Sequence, residues 1–326
     1  MDEHVDRIDG QRAIPPVDIK LPAEVLREGL ALLCTDRRIN RVKGDPNTSN
    51  ANIQRFKDHY GANPVVIAQI WHDLQTTEIP EARIKVLNFS AFLEALNLLY
   101  RCHRETEREA RFDKSRKTLR KWSRYYLLKI QALKASKIVF PPVEAFGDDV
   151  LIMSVDGTHC LFHEISHHEH SQNREYFSHK KKHAGLCYEL GIHLYESKLT
   201  WMNGSFPAGQ NDRGTFATEG LRDKLASIGK KAVGDKGYTG YPDQCSTFNA
   251  LDDPAVKAFK SRAQMRHEQF NGMLKEFSSL DDQFRHEQEW FEVYFECACV
   301  ICQHRMENGE PLFDLLAGIR IEGNGA

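Results

Sequence analysis

A change of period at Pro141-Pro142 constrains this chain more than any other feature. Before the two prolines, apolar residues recur every three or four positions. After them, the first apolar run, Val150 to Val155, is almost unbroken and ends in Asp156-Gly157. Amphipathic helices require the first pattern and a buried central strand the second. The prolines therefore divide a helical region from an α/β region. A chain of 326 residues is long enough for one large domain or two ordinary ones. At 41% hydrophobic and 28% charged residues, wholesale disorder is excluded. No apolar run reaches the length of a membrane span, and the polar stretch Met1 to Gly10 lacks the apolar core of a secretory signal. The eight cysteines have no framework-like spacing, which points to reduced thiols in an intracellular protein.

Four segments follow from the pattern. Residues 1–45 read as a polar arm and one amphipathic helix, with Leu26, Leu30 and Leu33 on its apolar side. The turn-rich loop Lys43 to Asn50 marks the boundary. Residues 46–145 read as a small all-helical domain in which a helix-turn-helix would fit. Its apolar positions are Ile53, Phe56 and Tyr60, then Ile67, Ile70, Trp71 and Leu74, then Phe92, Leu96 and Leu99, then Leu119, Trp122, Tyr126 and Ile130. Residues 146–312 carry, in order, a strand closed by Asp156, strands near Ala184 to Leu194 and Lys198 to Asn203, and a helix near Thr215 to Ala226. A short strand from Lys231 to Gly234 and helices near Val256 to Phe277 and Glu287 to His304 complete the segment. This order predicts an RNase H-like α/β core, a mixed sheet flanked by helices. Residues 313–326 form a tail.

Two aspartates close predicted strands: Asp156 in Ser154-Val-Asp-Gly-Thr-His159, and Asp235 in Val233-Gly-Asp-Lys-Gly-Tyr238. Strand ends are where open α/β sheets bind ligands, and a nearby glycine lets the chain turn away from an exposed carboxylate. Glu268 falls off the apolar stripe of its helix (Val256, Phe259, Ala263, Phe270, Leu274, Phe277), on a face shared with Gln264, Asn271 and Lys275. Three carboxylates on such elements suit two Mg²⁺ ions, which take hard oxygen ligands and promote in-line phosphoryl displacement. Asp156 is the candidate to bridge them. Taken alone, an aspartate after a strand is more often a helix cap or turn former.

The blocks Val155-Asp-Gly-Thr-His159, Gly209-Gln-Asn-Asp212, Gly234-Asp-Lys-Gly-Tyr238 and Arg266-His-Glu-Gln-Phe-Asn-Gly-Met-Leu-Lys275 resemble the signature blocks of PIF/Harbinger-type DDE transposases. The resemblance spans roughly Phe146 to Leu312. It implies a metal-dependent DNA endonuclease that cleaves and transfers transposon strands, with Asp156, Asp235 and Glu268 as catalytic metal ligands. The implied cofactor is two Mg²⁺ ions, with Mn²⁺ as a substitute. Glu268 follows Asp235 by 33 positions, an interval within that family's range. Asp212 matches a position usually acidic there and is expected beside the ligands, or as the second ligand itself. The resemblance further implies DNA partners (transposon ends and target), a homo-oligomer assembled on DNA, a separate Myb-like DNA-binding protein, and a nuclear location. A domesticated, non-catalytic DNA-binding protein that keeps the fold is the alternative, and a nuclease acting on RNA or repair intermediates is a more remote one.

Charge supports a nucleic-acid partner. The net charge is only −2, yet Arg101 to Phe140 holds thirteen Lys/Arg against four Asp/Glu. Arg116, Lys117, Arg120, Lys121 and Arg124 are candidate phosphate contacts, as are Lys180, Lys181 and Lys182. A charge run is otherwise simply a solvated face. Arg266 and Lys275 flank Glu268 and are expected either to hold the scissile phosphate or to neutralise neighbouring carboxylates. Two features depart from the family pattern. His163, His167, His168 and His170 form a dense group, either a metal-binding stretch or a His-rich loop. Cys297, Cys299, Cys302 and His304 suggest a metal cluster, but their helix is apolar nearly all round, which makes the thiols core filler.

Overall fold

The computed structural model describes residues 17–33, 49–77, 87–161, 174–178, 182–218, 220–281, 284 and 287–317. Among the described residues seven helices precede the prolines: α1 (Pro22–Leu33), α2 (Asn50–Tyr60), α3 (Pro64–Thr76), α4 (Phe89–Arg101), α5 (Glu105–Phe112), α6 (Arg116–Ala132) and the single turn α7 (Lys134–Lys137). Their starts are written in the sequence. The Asn63 side chain accepts from the Val66 amide at 3.0 Å with Pro64 in the first turn, Asn88 accepts from Ala91, and Ser115 from Thr118. Each satisfies an amide that the first helical turn leaves without a backbone partner. Their stripes are buried as the spacing predicts: Ile67, Ile70, Trp71 and Leu74 on α3, and Phe92, Leu96 and Leu99 on α4. The Trp71 ring packs on Phe89 and Phe92 at 5.1 and 5.5 Å.

The α/β region holds β1 (Leu151–Leu161), β2 (Phe177–Ser178), β3 (His183–His193), β4 (Leu199–Pro207), α8 (Asp212–Thr218), α9 (Leu221–Ile228), β5 (Lys231–Gly234) and β6 (Cys245–Ser246). Three helices follow: α10 (Pro254–Lys275), α11 (Ser278–Asp281) and α12 (Phe291–Glu307). It is a mixed sheet flanked by helices. The central strand β1 pairs antiparallel with β3 on one side and parallel with β5 on the other. On the outer sides, β3 pairs with β4 and β2, and β5 with β6.

Two details differ from the sequence expectation. The segment near Thr215 to Ala226 is two helices, because Gly220 adopts φ 97° between them. Val256 is 41% exposed rather than core-facing, since the apolar contacts of α10 begin further along, at Phe259 and Ala263.

Strand alternation sorts the side chains onto two faces. One face, with Tyr188, Leu190 and Ile192 of β3, joins α12 and the amino-terminal helices in one apolar cluster running from Val25 to Leu312. Tyr188 stacks on Phe295 of α12 at 3.7 Å. The change of period near residue 145 is real, but packing runs straight across it. Cys297, Cys299 and Cys302 lie fully buried in this cluster, as expected of core thiols. The opposite face, with Met153 and Val155, packs against Phe216 of α8 and Leu221 and Leu225 of α9. No helix among the described residues is long and apolar enough to cross a membrane.

Candidate active site

Asp156 does not close its strand. β1 runs on to Leu161 because β3 continues to pair with it as far as Gly185, whereas the parallel pairing with β5 stops at Val155 and Gly234. The apolar run marks only the part of β1 held between two neighbours. Asp156 therefore sits where one neighbour leaves and a gap opens beside the strand.

Asp235 follows β5 at the mouth of that gap, with its Oδ1 accepting from the Gly237 amide at 2.7 Å. Asp212 begins α8, reaching in from the other side of the sheet. A Cβ built on Gly157 would collide with Asp212 Oδ1, and one on Gly237 would lie 2.8 Å from Asp212 Oδ2 and from Asp235 Oδ1. The glycines of both sequence blocks thus leave room for carboxylates. Glu268 is exposed on α10, one turn from Asn271. Asn271 accepts from Thr158 Oγ1 at 2.8 Å and donates to Asp156 Oδ2 at 3.4 Å. Sequence reasoning placed Asn271 only as a neighbour of Glu268, and its three-residue spacing from that carboxylate was the available signal.

The carboxylates act on one another. Burial pushes the Asp156 carboxyl up to about 7, the Gly157 amide pulls it back, and Asp235, Asp212 and Glu268 add to the rise. The other three acids named from the sequence therefore lie near enough to Asp156 to act on its charge. Hard oxygens crowded in this way fit divalent cations, which would relieve the repulsion.

Two flanking cations point elsewhere. Arg266 is buried, and its guanidinium donates to the carbonyls of Phe313, His193 and Glu196, which removes it from the cleft. Lys275 donates to the carbonyls of His159 at 2.8 Å and Leu280 at 3.0 Å. Backbone oxygens, neither phosphate nor carboxylates, occupy both. Buried His267, with Nδ1 3.0 Å from Ser154 Oγ and its pKa drawn down to about 3 by desolvation, ties α10 to β1 as a neutral ring. On α6, Arg116 pairs with Glu109, Arg120 with Glu105 and Arg124 with Glu287, while Lys117 and Lys121 are exposed. Lys182 is exposed at φ 57°. Lys180, Lys181 and the group His163, His167, His168 and His170 lie outside the described residues.

Residues 155–303 match the family model of the DDE superfamily endonuclease. The match covers a little under half of the chain, begins at Val155 beside Asp156 and takes in Asp212, Asp235 and Glu268. The mixed sheet flanked by helices is consistent with such a nuclease, and the DDE endonuclease match supports a transposase or endonuclease function. No curated protein and no solved structure gives a significant match to the chain.

Proposed function

We propose that this chain is a DDE-type transposase of the PIF/Harbinger kind, with an RNase H-like core that cleaves and transfers transposon DNA. Asp156, Asp235 and Glu268 would hold two Mg²⁺ ions, with Asp212 beside them. The observation that carries the reading is that Asp235, Asp212 and Glu268 all act on the Asp156 carboxyl, within the stretch that matches DDE endonucleases. Antiparallel β1, β3 and β4 followed by parallel β5 and β6 suit the RNase H-like order.

The ions would activate the attacking oxygen and stabilise the leaving one. The protein's own residues prepare that site. Asn271 and the Gly157 amide fix the two oxygens of Asp156, the Gly237 amide orients Asp235, and His267 anchors α10, the helix that carries Glu268, to Ser154 of β1. The exposed lysines of α6, together with Lys182, are available for backbone phosphates of DNA. A nuclear location, a Myb-like partner and a homo-oligomer on DNA belong to the same reading.

The test is nicking of supercoiled plasmid by the full chain in Mg²⁺ or Mn²⁺. Cleavage should be lost without metal and in Asp156→Asn and Glu268→Gln. Variants that cut as the parent does would remove this triad. Salt-sensitive DNA binding without cleavage by the parent would instead favour a non-catalytic DNA-binding protein.

A further inference from the structure

The sheet face turned away from α10 carries a second group of donor side chains. His159 and Cys187 stand directly opposite each other in the β1–β3 ladder, so both leave the same face side by side. Asp212 descends on that face from the start of α8. One imidazole nitrogen, the thiol sulfur and one carboxylate oxygen lie within 4.8 Å of one another. Position 157 shares the face, and its lack of a side chain opens the space. A Cβ there would lie 3.3 Å from Cys187 Sγ and strike Asp212 Oδ1. Cys187 is buried and the other two are half-buried, so a cation held there would be largely withdrawn from water.

We propose that His159, Cys187 and Asp212 form a binding site for one divalent transition ion of the Zn²⁺ class, sharing only Asp212 with the carboxylate cleft. Sulfur and imidazole select against Mg²⁺, which takes hard oxygen, and favour a borderline-soft ion. A thiolate and a carboxylate balance the two positive charges, with the imidazole neutral. Three protein ligands leave the fourth tetrahedral position for a water. Ser178 Oγ on β2, 3.3 Å from His159 Nδ1, steadies the ring. Asp212 Oδ1 faces this group while Oδ2 faces Gly237 beside Asp235. An ion here would hold the carboxylate in place at the back of the cleft. The site does not depend on the nuclease reading.

The experiment uses the full chain, stripped with a chelator and titrated with Co²⁺ in excess Mg²⁺. One equivalent should bind, giving a thiolate-to-cobalt charge-transfer absorption and the visible bands of a four-coordinate ion. Cys187→Ser should abolish the charge-transfer band. His159→Gln, which keeps the thiol, should weaken binding by at least the roughly 10–100-fold that even an outer partner contributes. Asp156→Asn should bind Co²⁺ as the parent does, so that a failed cleavage assay leaves this result standing. Absence of the band in the parent, its survival in Cys187→Ser, or unchanged affinity in a folded His159→Gln overturns the proposal.

Discussion

Asp156 carries a proton that an ordinary carboxyl would have lost. Burial and three neighbouring acids hold it at about 7 in the folded chain, against 3.8 for the free side chain. Between those values the folded state binds more protons than the unfolded one, so stability declines as pH rises. In chelator, denaturant midpoints should fall from pH 5 to pH 8. Asp156→Asn should flatten that decline and gain on the order of a few kcal/mol at pH 8. Added Mg²⁺ should restore the parent and leave the variant unchanged. An equal slope in both proteins would contradict the assignment. At this scale the sequence was informative about which acids lie near one another: Asp156 and Asp235 sit beside glycines, and Glu268 on the polar side of its helix. It was silent on Arg266, whose burial among carbonyls depends on the turn at Glu196 and the segment at Phe313, both remote from it in the chain.

Among the elements, α10 sets the geometry of the cleft. It is moored through its buried residues, His267 to Ser154 and Arg266 to three carbonyls, while Glu268 and Asn271 project from the neighbouring side. Asn271 touches both Thr158 and Asp156 and so transmits the position of α10 to the acid on β1. Asn271→Ala should leave the fold intact and lower metal-dependent cleavage by roughly 10–100-fold, with metal affinity falling in parallel. Unchanged cleavage would reduce Asn271 to a packing residue. Helices with strong periods and polar caps, α3 and α4 above all, were legible in sequence. The far half of β1 was not. Past Val155 it still pairs with β3 but no longer with β5, and Asp156, Gly157, Thr158 and His159 give no apolar run to read. The split between α8 and α9 turned on the backbone of Gly220, which periodicity does not register.

Among the described residues, one apolar cluster joins the amino-terminal helices to α12 and one face of the sheet. A fragment of residues 146–317 keeps every carboxylate but exposes the outer side of α12, where Tyr294, Cys297 and Ile301 lie buried in the full chain. It should therefore bind a hydrophobic dye and unfold without a cooperative transition. A sharp two-state melt of that fragment would mean that the helices are an independent unit. The period change at the prolines located the boundary between secondary-structure types, but the sequence has no signature for which helices share a core, since each stripe reads the same whatever it packs against. One consequence concerns biosynthesis. Glu268 emerges 112 positions after Asp156, and α12, which closes the core, comes later still. A nascent chain that has not yet exposed Glu268 and α12 thus lacks an acid and the packing that would seat it, so the cleft is completed late in synthesis.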